Sequence, residues 1–550
     1  MMQTIRNIFH FHGGLQLDEH KSISTSKPIQ DAPIPSMLVL PLLQHIGQPA
    51  RPIVNVGDKV LKGQVIAEAD GRVSAPVHAS SSGTVIAIEP RDVPHASGLK
   101  GVCIVIETDG HDNAIATNGL TDFTTVSPDD IRARILESGI VGLGGAGFPS
   151  FIKLDPGKFA VETLILNAAE CEPYITCDDM LMRERAEDVI NGARIMQYAL
   201  HAKHCIIGIE DNKIDAHAAL QQALAGSDDI ELVRVPSRYP AGGEKQMIYT
   251  LTGKQVPSHT RPLELGIICH NVGTAAAVFR AIMQGEPLVS RTVTLTGSAI
   301  PQPRNIQVRI GTPITELLSL CHANEDDIDR IMIGGPMMGF DLPSSDAPVT
   351  KTCNCVLATH KRDRIAPQAS MPCIRCGECA NVCPANLLPQ QLYWHARAQE
   401  FDHIQDYHLF DCIECGCCDV VCPSHIPLVQ FFRFAKTTIW QQERDKEKSD
   451  KARVRHEFRL ERLEREKQEK RERHNRKKAA LKKDSEKGDD PKKAAILAAM
   501  KRVQDKKSTA QPKPKNMDNL TAEQQELIKQ ADKRRADNQT AEKTETDKSS

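Results

Sequence analysis

Aromatic residues are scarce. Phe, Tyr and Trp make up 4% of the 550 residues, with two Trp and six Tyr. Single-stranded nucleic acid is held on aromatic faces beside cations, so this composition argues against nucleic acid as a partner. In the one basic stretch, acidic residues interleave with the basic ones, which argues the same way. No run reaches the roughly 18–20 apolar residues of a membrane-spanning helix. The best stretch, residues 266–283, is interrupted by His270, Asn271 and Arg280. The opening MMQTIRNIFHFHGG has neither the apolar core nor the small-residue site of an export signal. The expectation is a chain that stays in the cytoplasm unless a partner holds it at a surface.

A large net charge is also missing: 69 Lys+Arg stand against 71 Asp+Glu, a formal −2. The balance hides a division. Residues 441–550 carry 33 basic and 23 acidic side chains, and residues 1–440 carry 36 and 48. An acidic body precedes a basic tail. The tail begins ERDKEKSDKARVRHEFRLERLEREKQEK, whose three- and four-residue charge spacing suits a solvated helix. Beyond about Lys482 its composition points to disorder.

What the chain does have is cysteine. Nine of its 17 cysteines fall between Cys373 and Cys422. Such clustering in a long chain without an export signal favours metal ligation over disulfides.

Patterning divides the remainder into a multidomain α/β and α+β protein. After an arm (1–36), residues 37–110 alternate Val/Ile with polar residues around Gly57, Gly63, Gly71 and Gly83, and Asp70-Gly71 signals a two-residue hairpin. This resembles the barrel-sandwich hybrid of lipoyl and biotinyl carriers. The tip, Ala69-Asp70-Gly71-Arg72, holds no modifiable Lys, so no covalent lipoyl or biotin is expected. Residues 125–285 alternate strand and helix, as a largely parallel α/β layer does. Residues 291–340 read as a small β-grasp (SLBB-like) unit, 341–370 as a linker, 365–435 as a ferredoxin-like segment and 441–550 as the charged, partly helical or disordered tail.

Two runs carry the strongest signal, Cys373-x₂-Cys376-x₂-Cys379-x₃-Cys383-Pro384 and Cys412-x₂-Cys415-x₂-Cys418-x₃-Cys422-Pro423. Both match the spacing of two-cluster bacterial ferredoxins, in which the fourth Cys of each run ligates the other cluster. Cys373, Cys376, Cys379 and Cys422 are therefore assigned to one [4Fe–4S] cluster, and Cys383, Cys412, Cys415 and Cys418 to the second. Zinc knuckles are the competing reading, and two complete runs with matching prolines weigh against it. Cys417, Cys353 and Cys355 are read as bystanders.

Residues 139–153 place glycines at 139, 142, 144, 145 and 147. Free N–H groups in such a loop cradle phosphate, and Lys153 adds charge. No Gly-Lys-Ser/Thr follows, so this is not a P-loop. Three polar loops lie downstream: Asn167-Ala-Ala-Glu170-Cys-Glu172, Tyr239-Pro-Ala-Gly-Gly-Glu244 and His270-Asn271-Val-Gly-Thr274. Each alone could be an ordinary capped loop.

In this order, GLGGAGFPSFIK, NAAECEP, YPAGGE and HNVGT resemble the flavin-binding NADH dehydrogenase component of respiratory complex I. With the barrel-sandwich before and the two-cluster segment after, residues 1–440 resemble the C-subunit family of Rnf-type (Rsx-type) ion-translocating electron-transport complexes. The resemblance implies noncovalent FMN facing Gly142, Gly144, Gly145, Lys153, Asn167, Glu170, Asn271 and Thr274. It implies NADH near Gly145, Phe148, Lys153, Glu172 and Glu244. It also implies integral membrane partners, with the chain peripheral on the cytoplasmic face of the inner membrane. The chain departs from the complex I pattern at Leu143 (Arg there), Ala169 (Asp), Gly243 (an acidic residue) and Pro156 (an aromatic). An NADH-dependent cobalamin reductase and a non-catalytic relay subunit are the alternative readings.

Overall fold

Alternation of Val and Ile with polar residues produces two facing sheets near the N-terminus. One runs in the order Met37–Pro41, Gly101–Thr108, Gly83–Arg91, Lys59–Val60, with antiparallel neighbours. The other joins Arg51–Pro52, Val65–Glu68 and Val77–His78. Leu38, Leu40, Ile66, Val85, Ile104 and Ile106 are fully buried between them. The structure, a computed structural model, describes residues 7–508 apart from 225, 365, 367 and 486–491, together with Lys529. The start of the arm and most of the tail read as disordered lie outside the described residues.

Asp70-Gly71 does not close a two-residue hairpin. Val65 pairs with His78 and Ala67 with Val77, so the connector is residues 69–76. Ser74 shapes it: its Oγ accepts from the Asp70 N–H at 3.0 Å and donates to the Gln48 carbonyl at 3.0 Å. A side-chain bond to a neighbouring segment outweighs the local turn preference.

The α/β layer begins at helix Pro128–Glu137, where Ser127 and Asp130 form a capping box. Its four strands are all parallel, in the order Ile230–Val235, His204–Glu210, Thr163–Ala168, Ile267–Asn271. The chain leaves Thr163–Ala168 toward one neighbour and returns on its other side, so a crevice opens at the carboxyl ends of Thr163–Ala168 and Ile267–Asn271. The helical stretch before His204 breaks at Arg185 into Cys177–Glu184 and Ala186–Leu200. The latter packs tightly on helix Val272–Phe279: a Cβ at Gly192 would lie 1.9 Å from the Ala275 carbonyl oxygen. Only glycine fits there.

A six-stranded sheet follows, in the order Gln30–Asp31, Arg304–Arg309, Ser290–Thr296, Cys355–His360, Ile328–Ile333, Phe340–Asp341. The segment read as a linker therefore holds an inner strand, Cys355–His360, and the arm supplies an edge strand. Proline and polar flanks conceal this short apolar run in the sequence. Cys353 and Cys355 are buried there.

The cysteine runs form tight loops with one-turn helices, closed underneath by Phe432, Ala435 and Ile439 of helix Leu428–Ser485. The described chain divides into Met1–Asp445 and Lys446–Ser550. Within the second unit Lys492–Ser508 is helical, where disorder was expected. Its Ala, Leu, Met and Lys are strong helix formers. Among the described residues no helix is long and apolar enough to cross a membrane.

Candidate functional site

The glycine-rich loop is pinched at its base. Val141 bridges Pro149, and the Gly142 N–H donates to the Phe148 carbonyl at 2.8 Å. Gly144, Gly145 and Ala146 are left exposed, while Phe148 is half-buried. Gly145 has φ +118°, and a Cβ there would meet nothing within 4 Å. The loop thus offers backbone to open space, as a cradle for a phosphate-bearing group does. Leu143 fastens its far side: its N–H donates to Thr274 Oγ1 at 3.0 Å, and its carbonyl accepts from Arg291 at 3.4 Å.

The other three loops converge here. Asn271 caps helix Val272–Phe279 by accepting from the Gly273 and Thr274 N–H groups, and a Cβ at Gly144 would sit 3.1 Å from the Asn271 Cβ. Asn167 Nδ2 donates to the Gly242 carbonyl at 2.7 Å. Lys153 Nζ lies 2.6 Å from Glu244 Oε1. Gly142, Gly144, Gly145, Lys153, Asn167, Glu244 and Asn271 therefore share one crevice at the carboxyl ends of the parallel strands. The exposed backbone at 144–146, with the Lys153 ammonium and its Glu244 partner beside it, suits the phosphate of a flavin mononucleotide.

Three expected contact residues are engaged by the chain itself. Glu170 is buried, and its carboxylate accepts from the Asp178 N–H at 2.9 Å and the Asp179 N–H at 3.3 Å, with Lys213 at 3.9 Å. Glu172 accepts from the Met337 and Met338 N–H groups at 2.7 and 3.1 Å, and burial pushes its carboxyl up. Thr274 has no exposed surface and spends its hydroxyl on Leu143. These residues brace the crevice from behind. Asp178 joins them: Asn271 Nδ2 donates to it at 2.6 Å, and burial, then the Glu170 charge, raises its pKa.

Sequence patterns do not reveal several further supports. Lys21 of the arm donates to the Glu170, Glu172 and Ile175 carbonyls at 2.7–2.8 Å. Lys351, in the segment read as a linker, is fully buried and donates to the Pro76 and Gly139 carbonyls at 2.8 and 2.7 Å. It thereby joins the barrel-sandwich sheets to the start of the glycine-rich loop. Burial pushes its ammonium down to about 7. No local pattern marks either lysine, because their partners are far away in sequence.

Two groups of thiols emerge from the cysteine runs. Cys383, from the first run, lines one cavity together with Cys412, Cys415 and Cys418 from the second; Cys417 borders it too. Burial raises the thiols of Cys383, Cys412 and Cys418, and each is raised further by charge on another of the set. Thiols in so dry a space hold their protons unless a cationic centre lies among them, and four of them around one cavity fit the ligands of an iron–sulfur cube. Cys379 is raised by burial, then by Cys376 and Cys373. Ser424, two residues beyond Cys422, is bonded to the segment that opens the first run: the Met371 N–H donates to the Ser424 carbonyl at 2.9 Å, and Ser424 Oγ donates to the Pro372 carbonyl at 3.0 Å. The groups differ in exposure, since Cys376 is exposed whereas Cys383, Cys415 and Cys418 are buried.

Family models match three stretches of the chain. The RnfC barrel sandwich hybrid domain matches residues 9–111, the Nuo51 FMN-binding domain residues 135–280, and the 4Fe-4S dicluster domain residues 372–426. The C subunit of an ion-translocating oxidoreductase complex from Haemophilus influenzae (strain 86-028NP) is 45% identical over 523 residues, covering 95% of this chain and 78% of the relative. The protein of that description from Pseudomonas aeruginosa is 50% identical over 457 residues, covering 83% of this chain and 59% of the relative. Among solved structures, an NAD+-reducing [NiFe]-hydrogenase in the air-oxidized state aligns at 18% identity with a TM-score of 0.40, over 54% of this chain and 60% of that one. By its relatives and its domains, the chain belongs to the C-subunit family of ion-translocating oxidoreductase complexes.

Proposed function

We propose that the chain is the electron-input subunit of a membrane-bound, ion-translocating complex, exchanging electrons between NADH and partner subunits from the cytoplasmic face. It is an electron-transfer protein with an FMN-binding domain and a 4Fe-4S dicluster domain. When bound, FMN supplies the conversion between hydride pairs and single electrons.

The observation that carries this reading is a shared segment. Residues 239–246 border the crevice on one side, where the Gly242 carbonyl accepts from Asn167 and Glu244 meets Lys153. On the other side they hold the cysteine loops: Tyr239 donates to the Cys415 carbonyl at 2.7 Å, Gln246 to the Pro384 carbonyl at 3.3 Å, and Lys245 pairs with Asp411 at 2.9 Å. One segment thus touches the flavin cradle on one side and the cysteine loops on the other.

In this reading Gly144 and Gly145 present backbone to the FMN phosphate, Gly142 closes the base of their loop, and Lys153, Asn167 and Asn271 orient the cofactor. Glu170 and Thr274 hold those groups in place. Gly145, Phe148 and Glu244 face the incoming nucleotide. Glu172 acts from behind, through the loop at Met337. Cys373, Cys376, Cys379 and Cys422 hold one cluster, and Cys383, Cys412, Cys415 and Cys418 the other. Leu143, Ala169 and Gly243 give the crevice a different charge pattern from that of complex I subunits. Anaerobic purification with iron, sulfide and flavin analysis tests the assignment. Eight irons and one FMN per chain are expected from two four-iron centres and one flavin domain. Four irons or fewer, or no flavin, would contradict it.

A further inference from the structure

Tyr239 opens the segment that touches both cofactor regions, and its side chain points toward the cysteines. It is 3% exposed. Its hydroxyl donates to the Cys415 carbonyl at 2.7 Å. Its backbone exchanges two hydrogen bonds with Leu15, at 2.8 and 2.9 Å, and the Gly14 N–H beside it donates to the Val382 carbonyl at 2.9 Å, next to Cys383. Leu15, Leu17, Met337, Val382 and Ile413 pack around Tyr239, Cys415 and Cys417 in an apolar cluster. In such a dry setting one oriented O–H dipole acts far more strongly than it would in water.

We propose that Tyr239 is a positioning residue for the Cys383, Cys412, Cys415 and Cys418 cage, setting the electron affinity of the centre held there. This rests on the reading that the cage holds a four-iron cluster. The positive end of the O–H dipole points at the backbone of a ligand, so it favours the more negatively charged, reduced state of that centre. Hydrogen bonds around cluster ligands are among the levers by which proteins set such potentials. The same bond fixes the second cysteine run to the loop that borders the flavin cradle. Tyr239 thus both orients this cage and ties it to the flavin side.

Tyr239→Phe keeps the ring and removes the donor. EPR-monitored redox titration of the anaerobically purified full chain should show the midpoint potential of the buried cluster moved to more negative values. The cluster of Cys373, Cys376, Cys379 and Cys422 should be unmoved. Iron and flavin content should match the wild type, and reduction of the affected cluster by NADH should slow by about tenfold, the lower end of outer-shell effects. Unchanged potentials and spectra for both clusters would overturn the proposal. If the variant loses iron, selective loss of the buried cluster supports the positioning role, whereas equal loss of both clusters overturns it. A wild-type chain with no four-iron signal would instead sink the cluster reading on which the proposal rests.

Discussion

Lys153 Nζ stands 2.6 Å from Glu244 Oε1, linking the end of the glycine-rich loop to the first turn of helix Glu244–Thr252 across the crevice. Both side chains are more than a third exposed, or close to it, at 34% and 42%. Such a pair contributes little to folding; in the proposed reading its work lies in binding.

Glu244→Gln should therefore leave stability and FMN content unchanged. The NADH concentration needed for half-maximal activity should rise about fivefold, the equivalent of roughly 1 kcal/mol. Steady-state titration against an artificial acceptor reads this directly. An unaltered NADH requirement would remove Glu244 from the nucleotide side.

Gly145→Val probes the cradle. The chain itself offers no obstacle, since a Cβ at Gly145 meets nothing within 4 Å, so the cost within the protein is backbone strain at φ +118°, on the order of 1–3 kcal/mol. Loss of flavin beyond that strain would report the ligand. Gly57→Val is the matched control, because Gly57 also has positive φ and open space but lies in the barrel-sandwich domain. We expect Gly145→Val to lose flavin with its iron retained, and Gly57→Val to keep both. Equal flavin content in the two variants would show that no ligand approaches Gly145.

Cys422→Ala separates crossed from uncrossed ligation. If Cys422 ligates with the first run, whose start at Met371 is bonded to Ser424, its removal should damage the cluster of Cys373, Cys376 and Cys379 and spare the buried one. EPR of the reduced variant distinguishes them. Loss of the buried cluster alone would mean that each run closes on itself.

Glu210 gives a pH signature. Burial pushes its carboxyl from 4.5 up to about 7, against the opposing charges of Lys213 and Lys21. The folded state then binds more protons than the unfolded state between these values. Its contribution to stability is complete below about pH 4.5 and is lost as pH rises through about 7. On going from about pH 5 to about pH 8, the apparent Tm of the wild type should fall a few degrees further than that of Glu210→Gln. Parallel pH profiles would contradict the shift.

The legible parts of this protein are those written in short-range patterns. The Val/Ile alternation gives the strands Met37–Pro41 and Gly101–Thr108, and Ser127 marks its helix start. The hidden parts depend on partners distant in sequence. Cys355–His360 becomes an inner strand only because Ser290–Thr296 and Ile328–Ile333 flank it. Lys351 reaches Gly139 across 212 positions, and Tyr239 reaches Cys415 across 176. Glu170 and Glu172 lie in a recognisable motif, yet backbone N–H groups from later elements occupy their carboxylates. A motif locates a loop; the packing around it decides which of its side chains face the ligand.

The most direct test of the dehydrogenase reading is an anaerobic NADH titration of the purified full chain, followed by absorbance and EPR. NADH should bleach the flavin band, and the signals of reduced four-iron clusters should follow. A chain that holds FMN and its irons, yet shows neither change with NADH while dithionite reduces it fully, would contradict that reading and leave a relay between partner subunits in its place.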